Sequence, residues 1–336
     1  MEYRYSNPID IFGMKVNVVA NYERYVEIFQ RRFRELRHHT YEVLACPVCD
    51  SDQSEIAMII HGFQYRRCNN CTHVYLRDAI RPEQLREYYT DSTVELPYSS
   101  TYSEDPEVQK IRRQSAASAK VEYISQYLSK PKGRWLDIAC GNADFLAEAK
   151  AKGHEVQGIE LSPTLVKVAK QMYGIEVFEG TLLDFAKSSG DEKYDVVGCI
   201  GIIDILPDLE SYFRAAAKLV TKGGLIAINV PHYNSLTAAI QQAYHDQTIR
   251  FACPNVFHLF TERSLQEVLK RHGFEPIAMW FFGMDVYELI NTISLESHRF
   301  RNSKARHILM NLGNEFQRVC DEKKFSDEVM IIGRIT

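Results

Sequence analysis

The chain has 336 residues, of which 45% are hydrophobic and 25% charged, and a formal net charge of −4. This composition is ordinary for a globular protein, and the length allows one large domain with a smaller one. The sequence predicts a cytoplasmic protein without a membrane span, because no apolar run reaches ~18 residues and no secretory signal pattern opens the chain.

The first segment, residues 1–40, begins irregularly and is predicted to become helical from about Asn21. Apolar side chains recur there at three- and four-residue spacing, at Tyr25, Phe29, Phe33 and Leu36. Four arginines occupy the opposite face, which leaves two interpretations. A helix packed on its own protein is favoured over a contact for anionic partners.

Two Cys-x-x-Cys pairs follow, Cys46 with Cys49 and Cys68 with Cys71, separated by 18 residues. This spacing is typical of a tetrahedral zinc site, and short strands predicted between the pairs make the segment a zinc ribbon. Four protein thiolates leave no open coordination position, so the predicted zinc is structural. A redox dithiol is the less favoured alternative. His73 is predicted to be a surface residue or a neighbour of the site rather than a ligand.

From residue 132 the sequence alternates strands and helices, which predicts a parallel sheet with crossover helices. Seven strands are predicted, at residues 134–139, 155–160, 175–178, 194–200, 225–230, 276–282 and 328–335. The domain limits follow from these patterns: an N-terminal helical segment at 1–40, the ribbon at 41–79, a helical linker or lid at 80–131, and the sheet domain at 132–336. Inserts interrupt the alternation at 231–259 and 284–326.

The most specific stretch runs from Arg134 to Leu146: an apolar run ending near an aspartate, small residues around Gly141, then a helical pattern. A strand, a tight turn and a helix start in this order suit a nucleotide-like ligand. The turn resembles the first motif of class I S-adenosylmethionine (SAM)-dependent methyltransferases, Asp/Glu-x-Gly-x-Gly-x-Gly. Here Asp137, Ala139, Gly141 and Ala143 occupy the corresponding positions. With the ribbon and Val74-Tyr75-Leu76 after its second cysteine pair, the chain resembles bacterial methyltransferases that modify polysaccharides or small molecules.

The resemblance implies an α/β, Rossmann-like fold with a seven-stranded methyltransferase sheet, and it assigns cofactor-binding residues. Small residues at Ala139 and Gly141 let the backbone approach SAM. Glu160, at the end of the second strand and followed by Leu161, matches the carboxylate that binds the ribose. Asp137 is expected to help fix the methionine amino group. The remaining assigned cofactor contacts are Thr181 and Leu182 at the adenine, with Ile200 opposite them. Arg113, Tyr98 and Tyr102 lie just upstream of the sheet domain and are candidates for the methionine carboxylate, with a surface linker as the open alternative.

Methyl transfer to an alcohol needs alignment and a proton acceptor. His258 is the preferred base and His232 the second, because both are predicted at the carboxyl edge of the sheet. Tyr233, Tyr287 and Glu288 are candidate substrate contacts. Ubiquinone-type O-methyltransferases carry a Glu-His pair after the fourth strand, where this chain has Asp204-Ile205, so a metal-assisted mechanism through that pair is not expected.

Three functions remain open from the sequence. The favoured one is SAM-dependent O-methylation of a small-molecule or carbohydrate-linked acceptor. An RNA methyltransferase whose ribbon grips RNA is the second, and the net negative charge counts against it. A non-catalytic SAM-fold binding protein is the third, because two motif glycines are alanine and Thr181 stands where the family commonly has aspartate.

Overall fold

A computed structural model of the chain describes residues 1–6, 22–85, 107, 110–111, 113–244 and 253–336. Its strands, in chain order, are β1 (Glu2–Tyr5), β2 (Thr40–Glu42), β3 (Ser54–Ile60), β4 (Phe63–Cys68), β5 (Val74–Leu76), β6 (Asp78–Ile80), β7 (Arg134–Ile138), β8 (Glu155–Glu160), β9 (Val177–Glu179), β10 (Tyr194–Ile200), β11 (Val220–Pro231), β12 (His258–Leu259), β13 (Phe274–Phe282) and β14 (Glu328–Ile335).

The α-helices of the described residues are α1 (Tyr22–Leu36), α2 (Ser118–Ser125), α3 (Asp144–Ala151), α4 (Pro163–Tyr173), α5 (Leu182–Ser188), α6 (Leu209–Leu219), α7 (Leu236–Ala243), α8 (Glu262–Arg271), α9 (Asp285–Glu296), α10 (His298–Arg301), α11 (Lys304–Asn311) and α12 (Gly313–Glu322). None of the helices in the described ranges is long and apolar enough to cross a bilayer.

The main sheet has the strand order β1-β13-β14-β11-β10-β7-β8-β9. Only β14 runs antiparallel to its neighbours, so the predicted parallel sheet with a late last strand is confirmed. All seven predicted strands form, and β1 adds an eighth by pairing in parallel with β13. β1 was not predicted, because its four residues are too few to show a periodic pattern. The stacking of Tyr3 and Tyr5 on Phe281 is a long-range contact.

Helices cover both faces of this sheet, and the alternation of each strand divides the core accordingly. On β7, Leu136 and Ile138 belong to one hydrophobic cluster, whereas Trp135 belongs to the cluster on the opposite face. Both sets are buried, which is the arrangement of a central strand in a parallel sheet. The carboxyl ends of the strands, where a ligand site is expected, therefore lie at the edge of a sheet that is packed on both faces.

The ribbon is a hairpin of β3 and β4, with β5 beside β4. His61 and Gly62 form its two-residue turn, with φ of 50° and 81°, as a tight hairpin requires. A fourth strand, β12, comes from the insert predicted at 231–259 and pairs with β5. The ribbon sheet is thus completed by a segment far along the chain, while the predicted domain limits stay a prediction.

The predicted N-terminal helix forms as α1. Its Phe33 and Leu36 are buried in the cluster that also contains Phe63 and Tyr65 of the ribbon. The side chains of Tyr25 and Phe29 lie outside the described residues. The buried part of α1 therefore packs against the ribbon.

Candidate functional site

The strand order reverses its direction between β7 and β10. From β7 the chain proceeds outward through β8 and β9, and from β10 it proceeds the other way through β11. In open α/β sheets the ligand crevice lies outside the carboxyl ends of the strands at this reversal. The residues that follow β7, β8 and β10 are therefore expected to line a cofactor crevice.

The turn after β7 has three residues in the left-handed region. The φ angles of Ala139, Gly141 and Ala143 are 58°, 56° and 65°. An alanine in this region costs roughly 1–2 kcal/mol, because its Cβ crowds the following carbonyl. At Gly141 no heavy atom lies within 4 Å of where a Cβ would be. The turn thus keeps the backbone shape of a glycine loop and leaves open space in front of Gly141.

Glu160 at the end of β8 is bound to this turn. One carboxylate oxygen accepts from the Gly141 N–H at 2.9 Å, and the other accepts from the Ser162 N–H at 2.8 Å. Glu160 is 8% exposed, and Leu161 beside it is half-buried. The predicted ribose contact stays a prediction. The structure adds that the same carboxylate links the turn after β7 to the residues after β8.

Asp137 lies beneath the turn and is almost fully buried, at 3% exposure. Its Oδ1 has no hydrogen-bond partner among the described residues, and Gly198 on β10 makes room for it, since a Cβ there would come within 2.7 Å of that oxygen. Burial is the main cause that raises the pKa of Asp137 to about 8, with Lys120 opposing the rise and Glu160 adding to it. An unpartnered buried carboxyl beneath an open glycine turn fits the ammonium end of SAM.

Lys120, which was not predicted as a site residue, lies near Asp137. It lies on α2, and its ammonium nitrogen is 5.6 Å from the centroid of the Phe282 ring while it acts electrostatically on Asp137. No local motif marks this lysine, because its neighbours at the site come from β7 and β13.

The predicted adenine contacts occupy the start of α5 and the end of β10. Thr181 caps α5: its hydroxyl donates to Asp184 at 2.6 Å and accepts from the Asp184 N–H at 3.2 Å. Leu182 is buried and Ile200 is half-buried. The Thr181 hydroxyl is thus already used by the helix cap, and contacts of these residues with adenine stay a prediction.

Arg113 was assigned to the methionine carboxylate, and its guanidinium is engaged elsewhere. Its Nε and Nη2 donate to Glu148 at 3.0 and 2.6 Å. Its guanidinium carbon, Cζ, lies 5.0 Å from the centre of the Tyr173 ring. Binding a ligand carboxylate would require Arg113 to exchange this partner. Tyr98 and Tyr102 lie outside the described residues.

The two predicted bases are buried. In His258, Nε2 lies 2.8 Å from the Leu206 carbonyl oxygen and Nδ1 lies 3.1 Å from Nε2 of His73. Burial lowers the pKa of His258 to about 4. His73, which was predicted to be a surface residue or a neighbour of the site, is fully buried. Both nitrogens of His258 therefore have partners, and its role as a base stays a prediction.

His232 is also buried, and burial lowers its pKa to about 4. Its Nδ1 lies 3.1 Å from the Ser326 carbonyl oxygen, whereas Nε2 has no partner within the described ranges. Of the two histidines, only His232 keeps a ring nitrogen that is open to a further hydrogen bond.

Asp204 is a further buried acid at the same edge of the sheet. It lies in the 3₁₀ turn Ile203–Ile205 that follows β10, is 6% exposed, and its Oδ1 is unpartnered among the residues described. Burial raises its pKa to about 7, and the charge of Glu328 adds to the rise. Glu328 accepts a hydrogen bond from Asn229, which pairs with Ile200 across β10 and β11. A buried carboxyl whose pKa is raised therefore lies just beyond the end of β10.

The residues predicted to contact the substrate lie in two different parts of the structure. Tyr287 and Glu288 are buried on α9, and Tyr287 belongs to the same hydrophobic cluster as Phe282 at the end of β13. Tyr233 instead packs against the ribbon cluster. The structure therefore places Tyr287 on the face of the sheet that carries Trp135, whereas Tyr233 faces the ribbon.

The four paired cysteines converge at one point. The Cys46 and Cys71 sulfurs are 3.5 Å apart, those of Cys49 and Cys68 are 3.6 Å apart, and all four lie within 4.8 Å of one another. A tetrahedral ion with bonds of about 2.3 Å would separate its sulfurs by about 3.8 Å. The cluster therefore fits one metal ion of this kind.

The cysteine cluster is also joined to the sheet domain. Arg271 at the end of α8 donates to the Val48 carbonyl oxygen at 3.2 Å, and the Thr72 and Thr261 hydroxyls are 2.7 Å apart. Three of the cysteines are buried within the core cluster on one face of the main sheet. A metal bound here would stabilise the contact between the ribbon and the main sheet.

Comparison with known proteins agrees with this geometry. A family model described as a methyltransferase domain matches residues 109–279, slightly more than half of the chain. A solved structure, the magnesium protoporphyrin IX methyltransferase of Synechocystis PCC 6803 with bound S-adenosylhomocysteine (SAH), covers 76% of this chain and 100% of its own at 13% identity and a TM-score of 0.50. That likeness concerns the fold.

Two curated relatives are similar to parts of the chain. The ubiquinone biosynthesis O-methyltransferase of Xanthomonas axonopodis pv. citri is 31% identical over 118 residues, 33% of this chain and 48% of the relative. The protein of the same description from Bordetella avium is 27% identical over 206 residues, 58% of this chain and 83% of the relative. The chain thus spans about half the length of the first relative and most of the second.

Proposed function

The chain belongs to the methyltransferase-domain family and has the class I SAM-dependent methyltransferase fold, and on that premise we propose that it transfers the methyl group of SAM to a hydroxyl of a small-molecule acceptor. The observation that carries the proposal is the left-handed turn of Ala139, Gly141 and Ala143, closed by Glu160. A turn of this shape costs stability, and it is retained where backbone must approach a ligand.

Each residue around the turn has a proposed task. Gly141 leaves the space that the ligand occupies, and Glu160 aligns the turn while its carboxylate meets the ribose. Asp137, whose Oδ1 has no hydrogen-bond partner among the described residues, orients the methionine ammonium group. SAM supplies an electrophilic methyl group on a sulfonium, so the protein needs to align the acceptor in line with the carbon–sulfur bond. The bond from acceptor oxygen to carbon forms, the bond to sulfur breaks, and the acceptor's proton leaves to a base.

Oxygen as the methylated atom is supported by the two relatives, both of which are named ubiquinone biosynthesis O-methyltransferase. A carbohydrate-linked acceptor is the second acceptor class, and it rests on the resemblance of the ribbon-bearing chain to polysaccharide-modifying enzymes. RNA is disfavoured, since the net charge of −4 opposes binding to phosphates.

The proton acceptor has three proposed identities. The sequence favours His258 and then His232, but His258 uses both ring nitrogens in hydrogen bonds. Asp204 is the third candidate, because one carboxyl oxygen has no hydrogen-bond partner among the described residues and burial raises its pKa to about 7. A base works best when its pKa is near the working pH.

The cysteine cluster is proposed to bind one Zn²⁺ through Cys46, Cys49, Cys68 and Cys71. The close spacing of the four sulfurs and their burial against the core support this. With four thiolate ligands the ion has no position for water, so its proposed role is to hold the ribbon.

Calorimetric titration with SAM and with SAH tests cofactor binding directly. We expect saturable heat with a 1:1 ratio and a rise of the melting temperature, since a ligand of the folded state stabilises it. Gly141→Ala, in which a methyl group enters the open space, is expected to abolish the heat while Gly190→Ala, at an exposed left-handed glycine far along the chain, is expected to keep it. No heat with either ligand in the wild-type protein would refute the proposal.

Turnover is tested by SAH release with a panel of catechols, phenols and polyhydroxylated sugars. A non-catalytic binding protein would bind SAM and release no SAH with any extract-derived acceptor. With an active acceptor, Asp204→Asn is expected to lower kcat about 100-fold or more and to remove the rise of kcat through pH 7. A retained pH profile in this variant would exclude Asp204 as the base.

A further inference from the structure

The 3₁₀ turn Ile203–Ile205, the Asp204 turn, is connected to the ribbon through the backbone. The Phe257 N–H donates to the Asp204 carbonyl oxygen at 2.7 Å, and the Phe257 carbonyl oxygen accepts from the Leu76 N–H at 2.9 Å. Leu76 ends β5 of the ribbon, and Phe257 directly precedes β12, which pairs with β5. A single residue therefore joins the ribbon sheet to the turn that carries Asp204.

A second connection runs through two buried histidine side chains. Nε2 of His73 lies 3.1 Å from Nδ1 of His258, and Nε2 of His258 lies 2.8 Å from the Leu206 carbonyl oxygen. A carbonyl oxygen only accepts, so His258 donates through Nε2. Because burial lowers the pKa of His258, its ring is neutral and its Nδ1 accepts, which makes His73 the donor. The hydrogen bonds thus run in one direction, from His73 through His258 to the end of the Asp204 turn.

Both ends of this histidine pair are fixed in place. The His73 carbonyl oxygen accepts from the Cys68 N–H at 2.8 Å. The His73 ring is fully buried, and its centroid lies 4.7 Å from that of the Phe260 ring. At the other end, Ile205 of the Asp204 turn packs against the hydrophobic cluster of the ribbon. The pair therefore spans from the second cysteine pair of the ribbon to the residues that follow β10.

Filling space does not by itself require two histidines at these positions. Apolar rings would occupy a similar volume, whereas buried polar nitrogens cost free energy unless they are hydrogen-bonded. Nδ1 of His73 has no partner among the described residues, so the pair carries part of that cost. The pair provides a directed bond to the Leu206 carbonyl oxygen, beside a strand β12 that is only two residues long. Buried hydrogen-bonded groups of this kind favour one arrangement of the segments that they join.

We propose that His73 and His258 are positioning residues, which connect the ribbon to the Asp204 turn and so fix the Asp204 carboxyl at the crevice beyond β10. The inference rests on the proposed function, because this placement matters to catalysis only if the crevice holds SAM and an acceptor. Asp204 is 6% exposed, and its Oδ1 has no partner within the described ranges. The position of that oxygen therefore depends on the backbone of the turn.

Titration of the Asp204 carboxyl, followed by carbon NMR of the full-length protein with labelled aspartate, tests this placement without an acceptor. Burial raises the pKa of Asp204 to about 7 in the wild-type protein. His73→Phe keeps an aromatic ring but loses the bond to His258, so we expect the turn to loosen and water to reach the carboxyl. The pKa of Asp204 should then fall toward its ordinary value of 3.8.

Two further variants make the titration specific. His73→Gln carries an amide nitrogen as many bonds from Cα as Nε2 of histidine, and it is expected to restore the raised pKa of Asp204. Tyr75→Phe is the matched control, because it removes only the 3.2 Å bond from the Tyr75 hydroxyl to Ser54 within the ribbon. It should titrate like the wild type. Circular dichroism melting checks that each variant is folded at the temperature of the titration.

Kinetics supply the second readout. With an active acceptor, His73→Phe should lower kcat about 10- to 100-fold, since a displacement of about 1 Å can cost roughly 100-fold, while SAH affinity by calorimetry stays unchanged. His73→Gln should recover most of kcat. An Asp204 titration that is the same in His73→Phe and wild type would overturn the inference, and a loss of kcat beside it would assign the pair to His258 as the base. A wild type that binds no SAH would refute the proposed function, and the titration would still decide whether the pair fixes the turn.

Discussion

The left-handed turn after β7 permits a quantitative test, because two of its three left-handed residues are alanine. Ala139→Gly removes a backbone strain of about 1–2 kcal/mol and returns about 0.4–1 kcal/mol of entropy to the unfolded chain. We therefore expect the free energy of unfolding to rise by about 0.5–1 kcal/mol. Gly141→Ala is the opposite change at a site with φ of 56° and open space, and it should lower the free energy of unfolding by a similar amount.

Ala143→Gly serves as the matched control for the turn. Its φ of 65° gives the same relief of strain as Ala139→Gly, but the Ala143 methyl is fully buried. Losing that methyl costs about 0.8 kcal/mol, so the net change should be close to zero. The difference between the two variants isolates the buried methyl group.

Urea unfolding followed by circular dichroism measures all three free energies at one pH, and calorimetry with SAH measures binding. Ala139→Gly and Ala143→Gly should retain SAH affinity, since glycine adopts the same backbone and removes no proposed contact. Destabilisation by Ala139→Gly of more than about 1 kcal/mol, or a neutral Gly141→Ala, would refute the left-handed turn and the strain argument with it.

Three further outcomes follow from the same structure. Purified protein should contain one zinc per chain by elemental analysis, and Cys46→Ser should lower both the zinc content and the melting temperature; a metal-free wild type of equal stability would contradict the zinc site. Burial raises the pKa of Asp137 from its ordinary value of 3.8 to about 8. The contribution of Asp137 to the free energy of unfolding of the ligand-free protein should therefore be largest near pH 4 and be lost as the pH rises to 8. Asp137→Asn should flatten this dependence, and an unchanged slope in urea unfolding would argue against the buried acid. His258→Phe should lower the free energy of unfolding by about 1–3 kcal/mol by leaving His73 and the Leu206 carbonyl unpaired, whereas unchanged stability with a loss of kcat would support His258 as the base.

The sequence predicted the features that depend on local pattern. The spacing of the four cysteines, the alternation of strands and helices, and the small residues before Asp144 are visible within windows of a few tens of residues. Glu160 was found because a carboxylate about 20 residues beyond the first turn has a known place in this fold. The seven predicted strands all formed, because buried parallel strands read as strong apolar runs.

The partners of these residues were decided by contacts between distant segments. Glu160 binds Gly141 across two strands, Lys120 approaches Asp137 from a helix, and β12 completes the ribbon from a segment more than 180 residues away from its partner Tyr75. The histidines show the same limit, because the sequence did not indicate that both ring nitrogens of His258 would lie in internal hydrogen bonds.

The sequence by itself therefore determined the fold class, the cysteine cluster and the position of the turn after β7, since each is encoded by spacing along the chain. Only the tertiary structure decided that Ala139 and Ala143 take glycine-like backbone angles and that Thr181 caps a helix. It also decided that α12 turns its polar side inward. The physical reason is that burial and hydrogen-bond partners depend on which segments meet, and those meetings are set by the packing of the whole sheet rather than by local propensity.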